Sequence, residues 1–286
     1  MDNINGGPCT DTTPCTVIDF ANFDDGTSAC AKFFDRPVEL KQKAPHPPEG
    51  WKHRGYTGIG VERGFHADKI AMVHSQVLDF KESFDFGNDS EPARLQNMSK
   101  LLPALALGIP GVPEGFFHEY HQEADNQVRL LHYPAAPAES FLNGEKGRIN
   151  AHTDFGTCTV LFQDDCGRLE VKSPYEPGKF ISVPPIPGTV VFNIADFLMR
   201  WSNDTLKSTL HRVRVPPQSL NGGGIIKERF SIPFFIGADH KKTVDLVSLV
   251  PSTVDCLPGC FGPDGPKKYD PVNVGQYINM RLNAIH

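Results

Sequence analysis

The residues most able to do chemistry in this chain lie in Ala151-His152-Thr153-Asp154-Phe155-Gly156. In an extended segment, residues i and i+2 point to one face, so the His152 imidazole and the Asp154 carboxylate can share a metal ion while Thr153 turns away. Imidazole plus carboxylate is two-thirds of the facial triad that holds a divalent iron with coordination positions left open. The pattern recurs at His66-Ala67-Asp68. That copy sits at the mouth of a predicted helix, where Asp suits the first turn and where i and i+2 do not face each other. His152 and Asp154 lead instead into the β-like run Thr157–Phe162. A third ligand must come from a distant strand. In Thr209–Val215 the alternation puts Thr209, His211, Val213 and Val215 on one face, with Arg212 and Arg214 on the other, which makes His211 the best candidate. A core histidine without a metal is the competing reading there. His240 lies in a polar Asp239–Lys242 turn and His132 neighbours Tyr133-Pro134, so both are weaker.

A second constellation is Glu228-Arg229-Phe230-Ser231-Ile232-Pro233-Phe234-Phe235. Arg229 and Ser231 share a strand face among strongly apolar neighbours. A core-facing guanidinium needs a carboxylate, because an uncompensated buried charge is costly. That carboxylate comes either from the protein or from a ligand. Arg200-Trp201-Ser202 has the same spacing but runs into the Asn203-Asp204 turn.

The elements that must position these groups are short strands. Gly 26 and Pro 25 together make up about 18% of the 286 residues, against an average near 12%. Such a surplus favours strands and turns over a helical bundle. From Gln127 to Ile236, runs rich in Val, Ile, Thr and Phe are punctuated by turn residues: Thr157–Phe162, Leu169–Val171, Thr189–Ile194, Thr209–Val215 and Arg229–Ile236. They predict an antiparallel sandwich or barrel and disfavour a βαβ nucleotide fold. Helices are predicted over 68–84, 98–107 and 272–285. The metal ligands must converge in one barrel, so the expected organisation is a single domain: an N-terminal mixed helical and loop region (1–126), a β core carrying the metal site (127–240), and a C-terminal loop and helix (241–286).

Composition narrows the partners. The net charge is −6, from 34 acids and 28 bases with mixed signs, and no basic stripe or long apolar run points to nucleic acid or a membrane span. Met1–Asn5 has neither the positive nor the apolar region of a secretory leader. Seven cysteines without a paired CxxC are expected as reduced thiols in a cytoplasmic protein. On that expectation the sequons at Asn88, Asn97 and Asn203 are chance.

The order His-x-Asp, distant His, Arg-x-Ser resembles the Fe(II)/2-oxoglutarate-dependent dioxygenases of the isopenicillin N synthase-like family. Arg54–Tyr56, Lys81–Gly87, Val128–Pro134, Arg148–Gly156, Gly167–Val171, Asn193–Asp196 and His211–Val213 carry the same resemblance. It implies a mainly β fold with flanking helices, a cupin-like double-stranded β-helix (jelly roll), with the metal at its open mouth. It further implies that His152, Asp154 and His211 hold Fe(II). 2-Oxoglutarate would chelate the iron, its distal carboxylate meeting Arg229 and Ser231, with Tyr133 adding a hydrogen bond. Reaction with O₂ would give succinate, CO₂ and an oxidant that attacks a C–H bond of a small, biosynthetic metabolite. Candidate pocket residues are Phe155, Phe197, Arg200, Trp201, Tyr56 and Tyr277.

The sequence also departs from the family. Leu131 stands where many relatives have Asn, which leans toward microbial members. The span from His211 to Arg229 is long, through Pro216-Pro217 and Asn221–Gly224, and predicts a loop between neighbouring strands. The segments after Phe20 and from Asn88 to Asn97 are short, so the expectation is that the chain omits residues of a longer protein. Alternatives to the 2-oxoglutarate reading are an oxidase of the same fold that takes all four electrons from its substrate, and a non-catalytic ligand-binding jelly roll. Oligomeric state is not legible.

Overall fold

Along Arg229–Ile236 the residues Arg229, Ser231 and Pro233 are buried and those between them less so. This two-residue period marks a strand with two differently occupied faces, and it sets the plan of the molecule. The computed structural model describes residues 18–19, 27–48, 54–62, 79–87, 101–107, 109, 111–122, 126–142, 147–215, 224–239 and 267–283. In chain order the elements are β1 (Ile18–Asp19), α1 (Thr27–Phe34), α2 (Val38–Lys41), β2 (Gly55–Thr57), β3 (Glu82–Phe86), α3 (Leu101–Leu107), α4 (Phe116–Glu119), β4 (Gln127–Tyr133), β5 (Ala136–Pro137) and α5 (Glu139–Leu142). There follow β6 (Ile149–His152), β7 (Cys158–Gln163), β8 (Leu169–Lys172), β9 (Phe180–Val183), β10 (Thr189–Ile194), α6 (Asp196–Trp201), β11 (His211–Val213), β12 (Ile225–Ile226), β13 (Arg229–Ile236) and α7 (Val274–Asn283).

Antiparallel pairing builds a seven-stranded sheet, β1-β10-β7-β13-β4-β3-β2, a four-stranded sheet, β6-β11-β8-β9, and the pair β12-β5. Between the two larger sheets lies a cluster of Leu131 and Tyr133 from β4, Leu169 and Val171 from β8, Val183 from β9 and Val213 from β11, with Ile149, Leu161 and Val191 against it. The other face of the large sheet carries helices. Cys158, Val160, Phe192, Ile194, Phe234 and Ile236 pack there with residues of α3, α4, α6 and α7. Farther along, Leu130, Phe84, Phe230 and Ile232 pack with Cys30 and Phe34 of α1. Two sheets face each other across an interior and helices flank one of them, the sandwich expected from the strand pattern and the jelly roll that the resemblance implies. Pro233 interrupts the ladder: bridges from β13 to β4 stop at Ser231↔Leu131 and resume at Phe234↔Val128, since proline has no N–H to donate.

One predicted element is corrected. The apolar spacing extends a helix to Phe84, yet Glu82–Phe86 is strand β3, registered with β4 through Phe84↔Leu130. Glu-Ser-Phe-Asp-Phe has the two-residue period of a strand, which a helical count of isolated apolar positions overlooked. The rest of that helix, through residue 78, lies outside the described residues, as do His66, Asp68, His240 and most of the loop after Val215. Among the described residues no helix is long and apolar enough to cross a membrane. The described cysteines Cys30, Cys158 and Cys166 are free thiols.

Candidate metal centre

β6 and β11 are neighbours in the four-stranded sheet, and their register sets His152 directly opposite His211. The two rings stand 4.2 Å apart. Each imidazole Nδ1–H donates to a carbonyl two residues back in its own chain, His152 to Asn150 at 2.8 Å and His211 to Thr209 at 3.0 Å. A carbonyl can only accept, so these bonds fix the tautomer and leave each Nε2 with its lone pair. Both Nε2 atoms face Asp154 Oδ1, at 3.9 Å from His152 and 3.7 Å from His211. Those separations are too long for hydrogen bonds. Donor atoms that share one ion with bonds of about 2.1 Å stand about 3–4 Å apart. Among the described residues, His152, Asp154 and His211 form the group able to hold a metal ion, their ligand atoms lying within 4.8 Å of one another. Two imidazoles that present Nε2 and a carboxylate suit Fe(II) in the facial arrangement.

Electrostatics agree with that donor set. Burial, reinforced by neighbouring His211, pushes the His152 imidazole down to about 3, so it is neutral at physiological pH. Burial pushes the Asp154 carboxyl up, but His211, His152 and the hydrogen bonds from Thr159 and Asn193 outweigh it, and the net shift is downward. Asp154 Oδ2 accepts from the Thr159 hydroxyl at 2.6 Å and the Asn193 amide at 2.8 Å. Thr159 and Asn193 are cross-strand partners on β7 and β10, so the large sheet grips one carboxylate oxygen and leaves the other to the histidines. Behind His152, Asp79 Oδ1 accepts from the Asn150 backbone N–H at 3.0 Å and its side-chain amide at 2.8 Å.

The turn after Asp154 is pinned by the start of α6. The first amides of a helix have no partner within it. Here the N–H of Asp196 donates to the Asp154 carbonyl at 2.9 Å, and that of Phe197 to Phe155 and Gly156 at 3.2 and 3.1 Å. Gly156 is required, since a Cβ there would stand 2.5 Å from the Ile236 carbonyl oxygen. Thr153 turns to the opposite side, donating to Asp196 Oδ2 at 2.7 Å. Arg281 of α7 closes on the same carboxylate.

At the other end of the interior, Arg229 is 1% exposed. Its Nε donates to Gly167 O at 2.8 Å, Nη1 to Ser231 Oγ at 2.8 Å and Nη2 to Gln163 Oε1 at 3.2 Å. All three acceptors are neutral. The nearby acid, Asp164, turns its oxygens to the backbone N–H groups of Phe230 at 2.6 Å and Cys166 at 3.0 Å. Arg229 therefore makes no ion pair among the described residues. Tyr133, registered opposite Arg229, has its ring 5.1 Å from the guanidinium carbon.

The pocket candidates separate. Phe155 and Tyr277 come together at Arg281, whose guanidinium lies 4.4 Å from the Phe155 ring and donates to Tyr277 Oη at 3.1 Å. Phe197 and Trp201 are core residues, 3% and 4% exposed, and Trp201 is ringed by Phe116, Phe117 and Tyr120. Arg200 donates to Asp270 O at 2.6 Å and lies over Tyr269, tying α6 to the C-terminal segment. Tyr56 lies apart from this group: its hydroxyl donates to Glu82 at 2.5 Å. It sits on β2 at the sheet edge, four strands from β7, or roughly 19 Å at about 4.8 Å per strand. Residue types alone missed Thr159, Asn193 and Gln163, although the alternation of β7 already set Thr159 and Gln163 on one face.

The chain matches two family models, the 2OG-Fe(II) oxygenase superfamily over residues 124–238 and the non-haem dioxygenase in morphine synthesis N-terminal region over residues 17–104. It is 35% identical over 230 residues to the proline hydroxylase buaE of Petromyces alliaceus, covering 71% of this chain and 69% of that one. It is 33% identical over 258 residues to the 2-oxoglutarate-dependent dioxygenase frbA of Dothideomycetidae sp., covering 79% of this chain and 75% of that one. Among solved structures, a full-length Neurospora crassa protein in complex with alpha-KG and thymine superposes with a TM-score of 0.71 at 33% identity, over 90% of this chain and 81% of that one.

Proposed function

The chain belongs to the 2OG-Fe(II) oxygenase superfamily, and we propose that His152, Asp154 and His211 hold its iron while Arg229, Ser231 and Tyr133 receive the distal carboxylate of its co-substrate. It is an Fe(II)- and 2-oxoglutarate-dependent dioxygenase, an oxidoreductase that consumes O₂. When bound, iron and 2-oxoglutarate supply the oxidant for a C–H bond as the co-substrate is converted to succinate and CO₂.

The chain's own groups prepare that chemistry. The carbonyls of Asn150 and Thr209 orient both imidazoles by accepting from Nδ1, and burial keeps His152 neutral. Thr159 and Asn193 hold Asp154 ionised in a buried position. The planar guanidinium of Arg229 suits bidentate binding of a carboxylate, in a dry setting where charge-assisted hydrogen bonds are strongest. The substrate is a small biosynthetic metabolite. The centre belongs to the β core of residues 127–240 within a single domain. The free described thiols support a cytoplasmic location.

The observation that carries this reading is Arg229, buried and bonded to neutral groups alone at the far end of the interior that holds the triad. Adding 2-oxoglutarate to the Fe(II) protein under anaerobic conditions should give a visible metal-to-ligand charge-transfer band. His152→Ala or Asp154→Ala should abolish it. No band in the wild type refutes the reading. Product formed without matching succinate would instead indicate an oxidase that draws all its electrons from the substrate.

A further inference from the structure

The three largest fully buried side chains among the described residues are Arg148, Arg229 and Tyr133, and they are together. Arg148 and Arg229 bring their guanidinium carbons to 5.8 and 5.1 Å from the centre of the Tyr133 ring. Arg148 Nη1 donates to the Tyr133 carbonyl and Nη2 to that of Lys227, both at 2.7 Å, while its Nε has no hydrogen-bond partner. Neither arginine makes an ion pair among the described residues. A single buried cation without an acid costs several kcal/mol. Two beside one tyrosine leave the interior in need of an anion. Burial, together with Arg168 and Arg229, brings the Arg148 guanidinium down to about 10, still charged at neutral pH.

Resting on the co-substrate reading above, we infer that Arg148 is a second guanidinium for the distal carboxylate of 2-oxoglutarate and sets the preference for dicarboxylic over monocarboxylic 2-oxo acids. It acts in two ways. It supplies charge to the pocket, and its bonds to the Tyr133 and Lys227 carbonyls fix the end of β4 and the approach to β13, on which Tyr133 and Arg229 stand.

The test is anaerobic titration of the Fe(II) enzyme, followed by the charge-transfer band, with 2-oxoglutarate and with 2-oxopentanoate, which has the same chelating head and no distal carboxylate. Arg148→Gln removes the charge and keeps an amide donor for the carbonyls. It should raise the Kd for 2-oxoglutarate about tenfold and leave that for 2-oxopentanoate within about twofold. Arg148→Lys, which keeps the charge but not the fork, should retain more of the preference for 2-oxoglutarate than Arg148→Gln does. An equal change for both acids in Arg148→Gln, or no change for either, overturns the inference. Arg229→Gln tests it without altering Arg148: a residual preference for 2-oxoglutarate of at least about threefold should persist, and equal affinity for the two acids overturns it. Absence of a band with either acid in the wild type would overturn the co-substrate reading and this inference with it, whereas an equal loss for both acids overturns only the inference.

Discussion

Replacing Thr159 by Val removes one hydroxyl from the metal centre and keeps the branched shape that the strand prefers. That hydroxyl donates to Asp154 Oδ2 at 2.6 Å, with Thr159 3% and Asp154 7% exposed. A hydrogen bond to a buried charge has a net worth of about 1.5–3 kcal/mol. At about 1.4 kcal/mol per decade this corresponds to roughly 10–100-fold in an equilibrium constant, the range in which removing outer partners of metal ligands lowers affinity. Thr159→Val should therefore weaken metal binding by about tenfold or more, because Asp154 loses half of what orients it. Asn193→Leu removes the other donor, at 2.8 Å from the same oxygen, and should have a comparable effect. Each single variant retains one donor, so the double variant should lose more than the two singles combined. Calorimetric titration with Mn(II), a redox-stable stand-in for Fe(II), measures this directly, with unfolding curves confirming that each chain is folded. Affinities within about threefold of wild type in both folded single variants would falsify the assignment of Asp154 as a ligand held by the large sheet.

Three further outcomes follow from the same contacts. Arg281→Met should destabilise the protein by roughly 3–5 kcal/mol, since it leaves the Asp196 carboxylate buried without its cation; the two side chains are each 4% exposed. Arg281→Met with Asp196→Leu should recover part of that loss in urea unfolding, and strictly additive losses would contradict the pairing. Burial holds His121 at about 4, below its ordinary 6.5, so the folded chain takes up this proton less readily than the unfolded one. The stability is then complete above pH 6.5 and is lost as pH falls toward 4, by roughly 3 kcal/mol; His121→Gln should flatten the fall in denaturant midpoint between pH 7 and pH 4.5, and an unchanged fall rejects the argument. Gly156→Ala forces a methyl to 2.5 Å from the Ile236 carbonyl oxygen. It should cost roughly 1–3 kcal/mol as overpacking and lower metal affinity through the Asp154 turn; a melting temperature equal to wild type would count against the close approach.

What the sequence made legible was whatever repeats along one strand. The alternation in Arg229–Ile236 set Arg229 and Ser231 on one face, and both are 1% exposed on the interior. His152 and His211 were found by residue type and strand context, and the register makes them neighbours. What stayed hidden depends on which strand lies beside which. Thr159 and Asn193 are ordinary strand residues until pairing sets them opposite each other under Asp154. Gln163 and Arg148 likewise gain meaning only when β7, β13 and β4 lie side by side. Aromatic type does not separate pocket from core: Trp201, Phe197 and Tyr56 are all buried, because large apolar surface is as readily used in a core.

The position of the triad between two sheets has a mechanical consequence. The imidazoles come from the four-stranded sheet, whereas the groups that fix the carboxylate and the buried guanidinium come from the seven-stranded one. The centre's geometry is therefore a relation between sheets rather than a property of one loop. What maintains that relation is the apolar cluster of Leu131, Leu161, Leu169, Val171, Val191 and Val213 between them. Close-packed interiors resist compression and transmit strain, so this cluster keeps the His152–Asp154–His211 end and the Arg229 end in register with each other. The helices contribute differently. They cover the outer face of the large sheet, and through Arg281, Thr153 and Asp196 they reach the metal-bearing turn from the side opposite the ligands. Phe155 and Tyr277 pack against Arg281 there, so changes in α7 act on the turn from outside the interior that holds His152, Asp154 and His211.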